Sequence, residues 1–370
     1  MPLAWGPWFS HEYITYFSVH AVNKIMGLPT VRVKAKPAFN DHEYEPPSKR
    51  WGIIPSAVRD CSTNKFLFTY RNLRGYSFLK LGSHNEKWLV GPQHIDLYKE
   101  SYREFRALPL LSSYSYAERN AEYSKKPPED KTIEPWKILV IYTTEPDLNP
   151  DCDLKLHPFQ GITGGSHGWR HMQFRVMGKR FGAAAGSVHT HMAFAEKAFQ
   201  SGHDYWGWRY LSRCTHYLAD LGNPFHVYAV PTSFLIKNLF SSRKLFQILS
   251  AIHQSYEIYA ERRFREGFSP FKEALLQGAS IGQNERADVK KEVKSYRHQA
   301  ATQMKSMFYF FLEEFGQELI NAFQKMDPDS HLDAATQTNM CSKDASEVIF
   351  QESHLSALDF LDRVTVNILF

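Results

Sequence analysis

The chain has 370 residues, enough to bury a sizeable core in one large domain or two ordinary ones, and its 43% apolar content argues against a disordered protein. Four widely spaced cysteines without a Cys-x-x-Cys pair argue against a cysteine zinc site and a disulfide scaffold, although one or two bridges stay compatible. The net charge of +5 is mild and favours a phosphate-bearing partner, and no apolar run approaches the ~18 residues of a spanning helix.

The first residues, Met1 to Trp5, are too short for a signal peptide with a basic start and an apolar stretch. Residues 11–27 have helical spacing and end at Gly27, a plausible cap. Residues 28–135 hold several Pro and polar clusters, and within them 126–130 read as a loop. Residues 136–144 are largely apolar and fit a strand or a buried helix by pattern alone. From Glu145 to Gly168 the chain is loop-like, rich in Pro, Asp and Gly. Helical patterns then cover 187–200, 204–221, 243–266 and 287–325, with apolar residues at three- and four-residue intervals. From about 327 the chain turns polar, and it closes with an amphipathic segment over 355–370. The expected organisation is one mostly α domain over 1–326, with 28–135 an unplaced insertion and 327–370 a tail that can pack on the same domain.

Histidine is the unusual residue: there are 17, crowded between positions 157 and 253. His216 and Asp220 sit four apart in a helical pattern, so both project from one face and can grip one ion. Gly222 and Pro224 then break the helix, and the turn can swing His226 back to the same cavity. Imidazole nitrogen with carboxylate oxygen is a donor set that suits zinc. His253 and Glu257 repeat the four-residue spacing, and a loop carboxylate near Glu145–Asp147 with a following histidine could complete a coordination sphere. Each of these pairs taken alone describes a solvated surface pair equally well, and a turn Asp can bond its own backbone. Trp5, ahead of His11, would by itself be read as core.

The order Trp-Gly…His, loop Asp…His, His-x-x-x-Asp-x-x-x-Pro-x-His and His-x-x-x-Glu resembles the zinc-dependent phospholipase C and single-strand-specific nuclease superfamily over about residues 5–260. The resemblance implies an all-α, multi-helix domain with three zinc ions at the bottom of a cleft. It assigns Asp147, His171, His216 and Asp220 to a first ion. Trp5, through its main-chain amine and carbonyl, with His11 and Asp220 as a bridging carboxylate, would hold a second. His226, His253 and Glu257 would hold a third. His167 competes with His171, and Asp151 or Asp153 with Asp147. Zinc lowers the pKa of bound water from about 15.7 to about 7, giving a nucleophile for phosphorus, with Asp147 the candidate general base.

Two departures from the family stand out. Trp5 follows Met1, Pro2, Leu3 and Ala4, so as written its nitrogen is an amide and a poor ligand. Cleavage after Ala4 from a longer precursor would free it and imply a secreted or periplasmic protein; without cleavage the protein would be cytoplasmic. The gap between His226 and His253 is also long and apolar, which fits core helix, a lid, or a surface that dips transiently into a membrane interface. His-x-x-x-Glu and this insertion favour phospholipase C action on phospholipid over other phosphate esters. A single-strand-specific nuclease acting on single-stranded nucleic acid is the alternative, with aromatics for base stacking, and a non-catalytic zinc-binding protein is the second.

Overall fold

Apolar residues at three- and four-residue steps build most of the chain into helices, and the longest of these carry the core. The computed structural model describes residues 10–32, 132–143, 146, 165–176, 178–228, 230–237, 242–265, 268–282, 288–318, 321 and 355–369. Within them the order is α1 (Ser10–Ala21), α2 (Asn23–Met26), β1 (Val31–Arg32), β2 (Thr132–Ile133), α3 (Pro135–Tyr142), α4 (Gly165–His171), β3 (Gln173–Val176) and β4 (Lys179–Gly182). There follow α5 (Ala184–Gln200), α6 (Asp204–Gly222), α7 (Pro224–Val227), α8 (Thr232–Lys237), α9 (Ser242–Arg265), α10 (Ser269–Gly282), α11 (Val289–Glu314) and α12 (Leu355–Leu369). The described residues are predominantly helical, and the two short antiparallel pairs, β1–β2 and β3–β4, are their only sheets.

The 136–144 stretch is a helix. Pro135 sits in its first turn, where a missing N–H costs nothing, and Ile138, Leu139 and Val140 are all buried. The expected 11–27 helix is two, parted at Val22. Residues 165–168, read as loop, belong to α4, and the β3–β4 hairpin and α10 are additions to the expected elements. Gly182 is required at the close of the hairpin: it has φ +84°, and a Cβ there would lie 1.8 Å from the Met172 carbonyl oxygen. The 126–130 loop, and nearly all of the 28–135 insertion, lie outside the described residues.

α6 is the central element, buried along most of its length by Tyr205, Trp206, Tyr210, Cys214, Tyr217 and Leu221. It packs along α5 and against α1, α3, α7 and α11. At Gly207 the absence of a side chain lets the Phe199 ring of α5 lie on the backbone. Ser212 donates a hydrogen bond to the Leu139 carbonyl at 2.6 Å, and the Tyr142 and Tyr205 hydroxyls meet at 2.6 Å, so α3 is tied to α6 at two heights. Thr15 in turn donates to Thr143 at 3.1 Å, fixing α1 to the end of α3.

α12 lies in the same core: Ala357, Leu358, Leu361 and Val364 are buried with Tyr13, Tyr256 and Phe311. Its Asp362 accepts Arg263 Nε at 2.8 Å and Nη2 at 2.6 Å, and the Tyr259 hydroxyl as well. α12 thereby clamps α9. No helix among the described residues is long and apolar enough to cross a membrane.

Candidate metal centre

Seven of the nine expected ligands fall in described parts of the chain, and the fold gathers all seven. His11, His171, His216, Asp220, His226, His253 and Glu257 come from α1, α4, α6, α7 and α9, and each is at most 5% exposed. Trp5 and Asp147 lie outside the described residues, as do Asp151, Asp153 and the side chain of His167. Of the two competing histidines, His171 is the one seen in the cluster.

The helical register of α6 puts His216 and Asp220 one turn apart on its buried side, with His216 Nε2 at 3.4 Å from Asp220 Oδ2. His171, the last residue of α4, brings Nδ1 to 2.8 Å from the same Oδ2 and 3.0 Å from His216 Nε2. The other carboxylate oxygen faces elsewhere: Oδ1 is 3.6 Å from His11 Nε2 and 3.5 Å from His226 Nδ1. The His11 ring stacks on His216 with centroids 3.8 Å apart. Asp220 thus divides its two oxygens between two sets of imidazoles.

α6 stops at Gly222, and Asn223 with Pro224 turns the chain into α7. The Asn223 Oδ1 accepts from the Phe225 N–H at 3.0 Å, capping the short helix, and its Nδ2 donates to Glu257 Oε1 at 3.3 Å. The turn brings His226 between the two parts of the site. His226 Nδ1 lies 3.1 Å from the His171 carbonyl oxygen, and Nε2 lies 3.3 Å from Glu257 Oε1. One turn before Glu257 on α9, His253 Nε2 is 2.8 Å from the same oxygen.

Tautomer logic makes this second group a test for a cation. A carbonyl can only accept, so Nδ1–H of His226 donates to His171, and in a neutral ring Nε2 then offers a lone pair to the Glu257 carboxylate. Donating on both sides would need an imidazolium, which burial disfavours; burial outweighs the Glu257 contact and holds the His226 pKa below the usual range. His253 is pushed down to about 3, again by burial. Two imidazoles held neutral by burial, with the His226 Nε2 lone pair and His253 Nε2 both at one buried carboxylate, are a donor set for a cation. The Nδ1–H to backbone bond of His226 is the kind of outer contact that orients metal-ligating histidine.

The separations come near those that one small ion would impose, the shortest being of hydrogen-bond length. Tetrahedral zinc at about 2.0–2.2 Å from nitrogen and oxygen sets its ligand atoms about 3.3–3.6 Å apart. The observed approaches around Asp220 and Glu257 run from 2.8 to 3.6 Å. Two groups, His11–His216–Asp220 and His226–His253–Glu257, therefore could each hold a metal ion, with every candidate ligand atom of a group within 4.8 Å of the others.

Three residues beside the cluster escaped the sequence reading. Asn223 carried a signal, since Asn before Pro is the signature of a helix cap followed by its first residue. Tyr217 packs its ring 5.1 Å from His171 and 5.2 Å from His216, and Arg170 Nη1 donates to its hydroxyl at 3.1 Å. Nothing local marks these two; both would be read as core or surface. Cys214, on the same helix, is a buried thiol pushed up to about 12 by burial, unsuited to serve as a thiolate ligand. No protein-family model, curated protein or solved structure matches the chain.

Proposed function

We propose that this chain is a zinc-dependent phosphoric ester hydrolase, acting as a phospholipase C on phospholipid and akin to the zinc-dependent phospholipase C and single-strand-specific nuclease superfamily. The observation that carries the reading is Asp220, fully buried, with Oδ2 between His171 and His216 and Oδ1 toward His11. A carboxylate placed in that way could bridge two neighbouring cations, and close metal pairs are a common device for in-line displacement at phosphorus. His226, His253 and Glu257 would hold a third ion.

Bound zinc supplies a water that ionises near neutral pH and a Lewis acid for a phosphoryl oxygen. The chain's own residues set the stage for that chemistry. Asp220 and Glu257 offset the positive charge of the cluster, and their burial keeps competing water from the donor atoms. Asn223 holds Glu257 in place, and the His171 carbonyl fixes the His226 tautomer. On the resemblance, Asp147 would be the proton acceptor and Trp5 a further metal ligand.

The test is side-by-side hydrolysis of short-chain phosphatidylcholine and single-stranded DNA by the purified protein, with zinc and with chelator. Zinc-dependent release of diacylglycerol is expected, and His216→Ala should abolish both zinc retention and hydrolysis. Full activity in that variant would sink the site assignment. Faster cleavage of DNA than of lipid would move the protein to the nuclease branch.

A further inference from the structure

Arg175 and Arg180 face each other across the β3–β4 ladder, Arg175 exposed and Arg180 partly so. Like charges directly opposite weaken a strand pair, so this arrangement is not explained by stability. A third guanidinium, Arg297 of α11, is half-buried, and burial together with the charges of Arg180 and Arg175 lowers its pKa. Among the described residues no carboxylate is in ion-pair contact with any of the three. Lys290 and Lys294 precede Arg297 by seven and three positions, so all three share one face of α11 over about 10 Å, and both lysines are exposed.

The cluster adjoins the metal centre. β3 follows directly on His171, and both β3 and α11 pack on α7, which carries His226. Next to Arg297, the Tyr296 ring covers Gly222 so closely that a Cβ there would meet its hydroxyl oxygen at 2.2 Å.

A strip of cations spread over a hairpin and a helix suits a surface of many anions better than one enclosed anion. Single-stranded nucleic acid is bound by combining such charge with aromatic platforms. Among the residues whose side chains are described, no Phe, Tyr or Trp ring is exposed, and the exposed ring beside Arg297 is the small imidazole of His298; the large apolar side chains that are exposed are aliphatic, Leu28 and Ile236, the latter 68% exposed on α8. We propose that Arg175, Arg180 and Arg297, extended by Lys290 and Lys294, form a face that holds the protein on a lipid surface bearing anionic phosphate headgroups. This concerns binding without turnover and goes beyond the hydrolase reading.

The full chain is tested by co-sedimentation with vesicles of phosphatidylglycerol and phosphatidylcholine, and with vesicles of phosphatidylcholine alone. Tighter binding to the anionic vesicles, weakening with salt, is expected. A juxtamembrane basic residue contributes about fivefold in partition, so Arg175→Gln with Arg180→Gln should weaken binding about 25-fold. The double variant should melt at or above the wild-type temperature, because a repulsive cross-strand pair has been removed. Wild-type affinity in the double variant, equal binding to neutral vesicles, or binding of single-stranded DNA without vesicle binding would overturn the proposal. A clear drop in melting temperature would mark the pair as structural and do the same. Hydrolysis of a soluble short-chain ester reports on the metal centre separately, so lost turnover with intact vesicle binding counts only against the hydrolase reading.

Discussion

The Asn223 side chain caps α7 with its oxygen and restrains Glu257 with its nitrogen, 3.0 and 3.3 Å from their partners. Losing a cap costs about 1 kcal/mol, and losing an outer contact to a metal ligand costs about 10–100-fold in metal affinity. Asn223→Ala is therefore expected to lower stability by that amount and to weaken zinc binding by that factor, read by competition with a chelating dye. Asn223→Ser, which keeps a capping oxygen, should recover the stability and leave the zinc defect. A separate consequence follows from His253. The unfolded chain takes up a proton on this residue near 6.5, whereas burial delays uptake in the folded chain to about 3. Between those values the unfolded state binds more protons, so the stability present above pH 6.5 falls as pH falls, by up to about 1.4 kcal/mol per pH unit for this group. Urea unfolding at pH 7, 6 and 5 should show that slope, and His253→Gln should flatten it.

α9 carries His253 and Glu257 on one side and meets α12 on another through Tyr256, Tyr259 and Arg263. Asp362→Asn removes the charge that receives Arg263, and hydrogen bonds to charged groups contribute about 1.5–3 kcal/mol each. The variant should lose about 2 kcal/mol in urea unfolding; an unchanged midpoint would show that α12 does not brace α9. This docking joins residues 99 apart and leaves no trace in local pattern. By contrast, His216 and Asp220 were legible because four-residue spacing in a strong helix fixes their common face, and His226 because Gly222 and Pro224 announce the turn. The 136–144 stretch could not be resolved by periodicity, since apolar residues at nearly every position fit both a helix and a strand; Pro135 at the helix start and burial on several sides explain the outcome. The β3–β4 strands have four residues each, too few for a two-residue alternation to show; Gly178 in their turn and Gly182 at the end of β4 both have positive φ. In α10 the buried Phe271, Ala274 and Leu275 are diluted by small residues and two glycines, which hid its period.

Taken together, α1, α4, α6, α7 and α9 meet at the candidate metal centre, so an ion bound there would be coupled to folding. An ion at a hundred times its dissociation constant adds about 2.7 kcal/mol to the folded state. Chelation should therefore lower the melting temperature by several degrees, and zinc rather than magnesium should restore it, since nitrogen donors suit zinc and magnesium prefers oxygen. Equal rescue by magnesium would contradict the donor set. The Arg263–Asp362 pair also orders events at the ribosome. Its partners lie 99 residues apart, so at about 5–20 residues per second Arg263 is made about 5–20 s before Asp362. For that interval every histidine and carboxylate of the described cluster has been synthesised while the helix that braces α9, with two of those seven residues, has not. A nascent chain thus carries all seven described candidate ligands while its clamp is still to come.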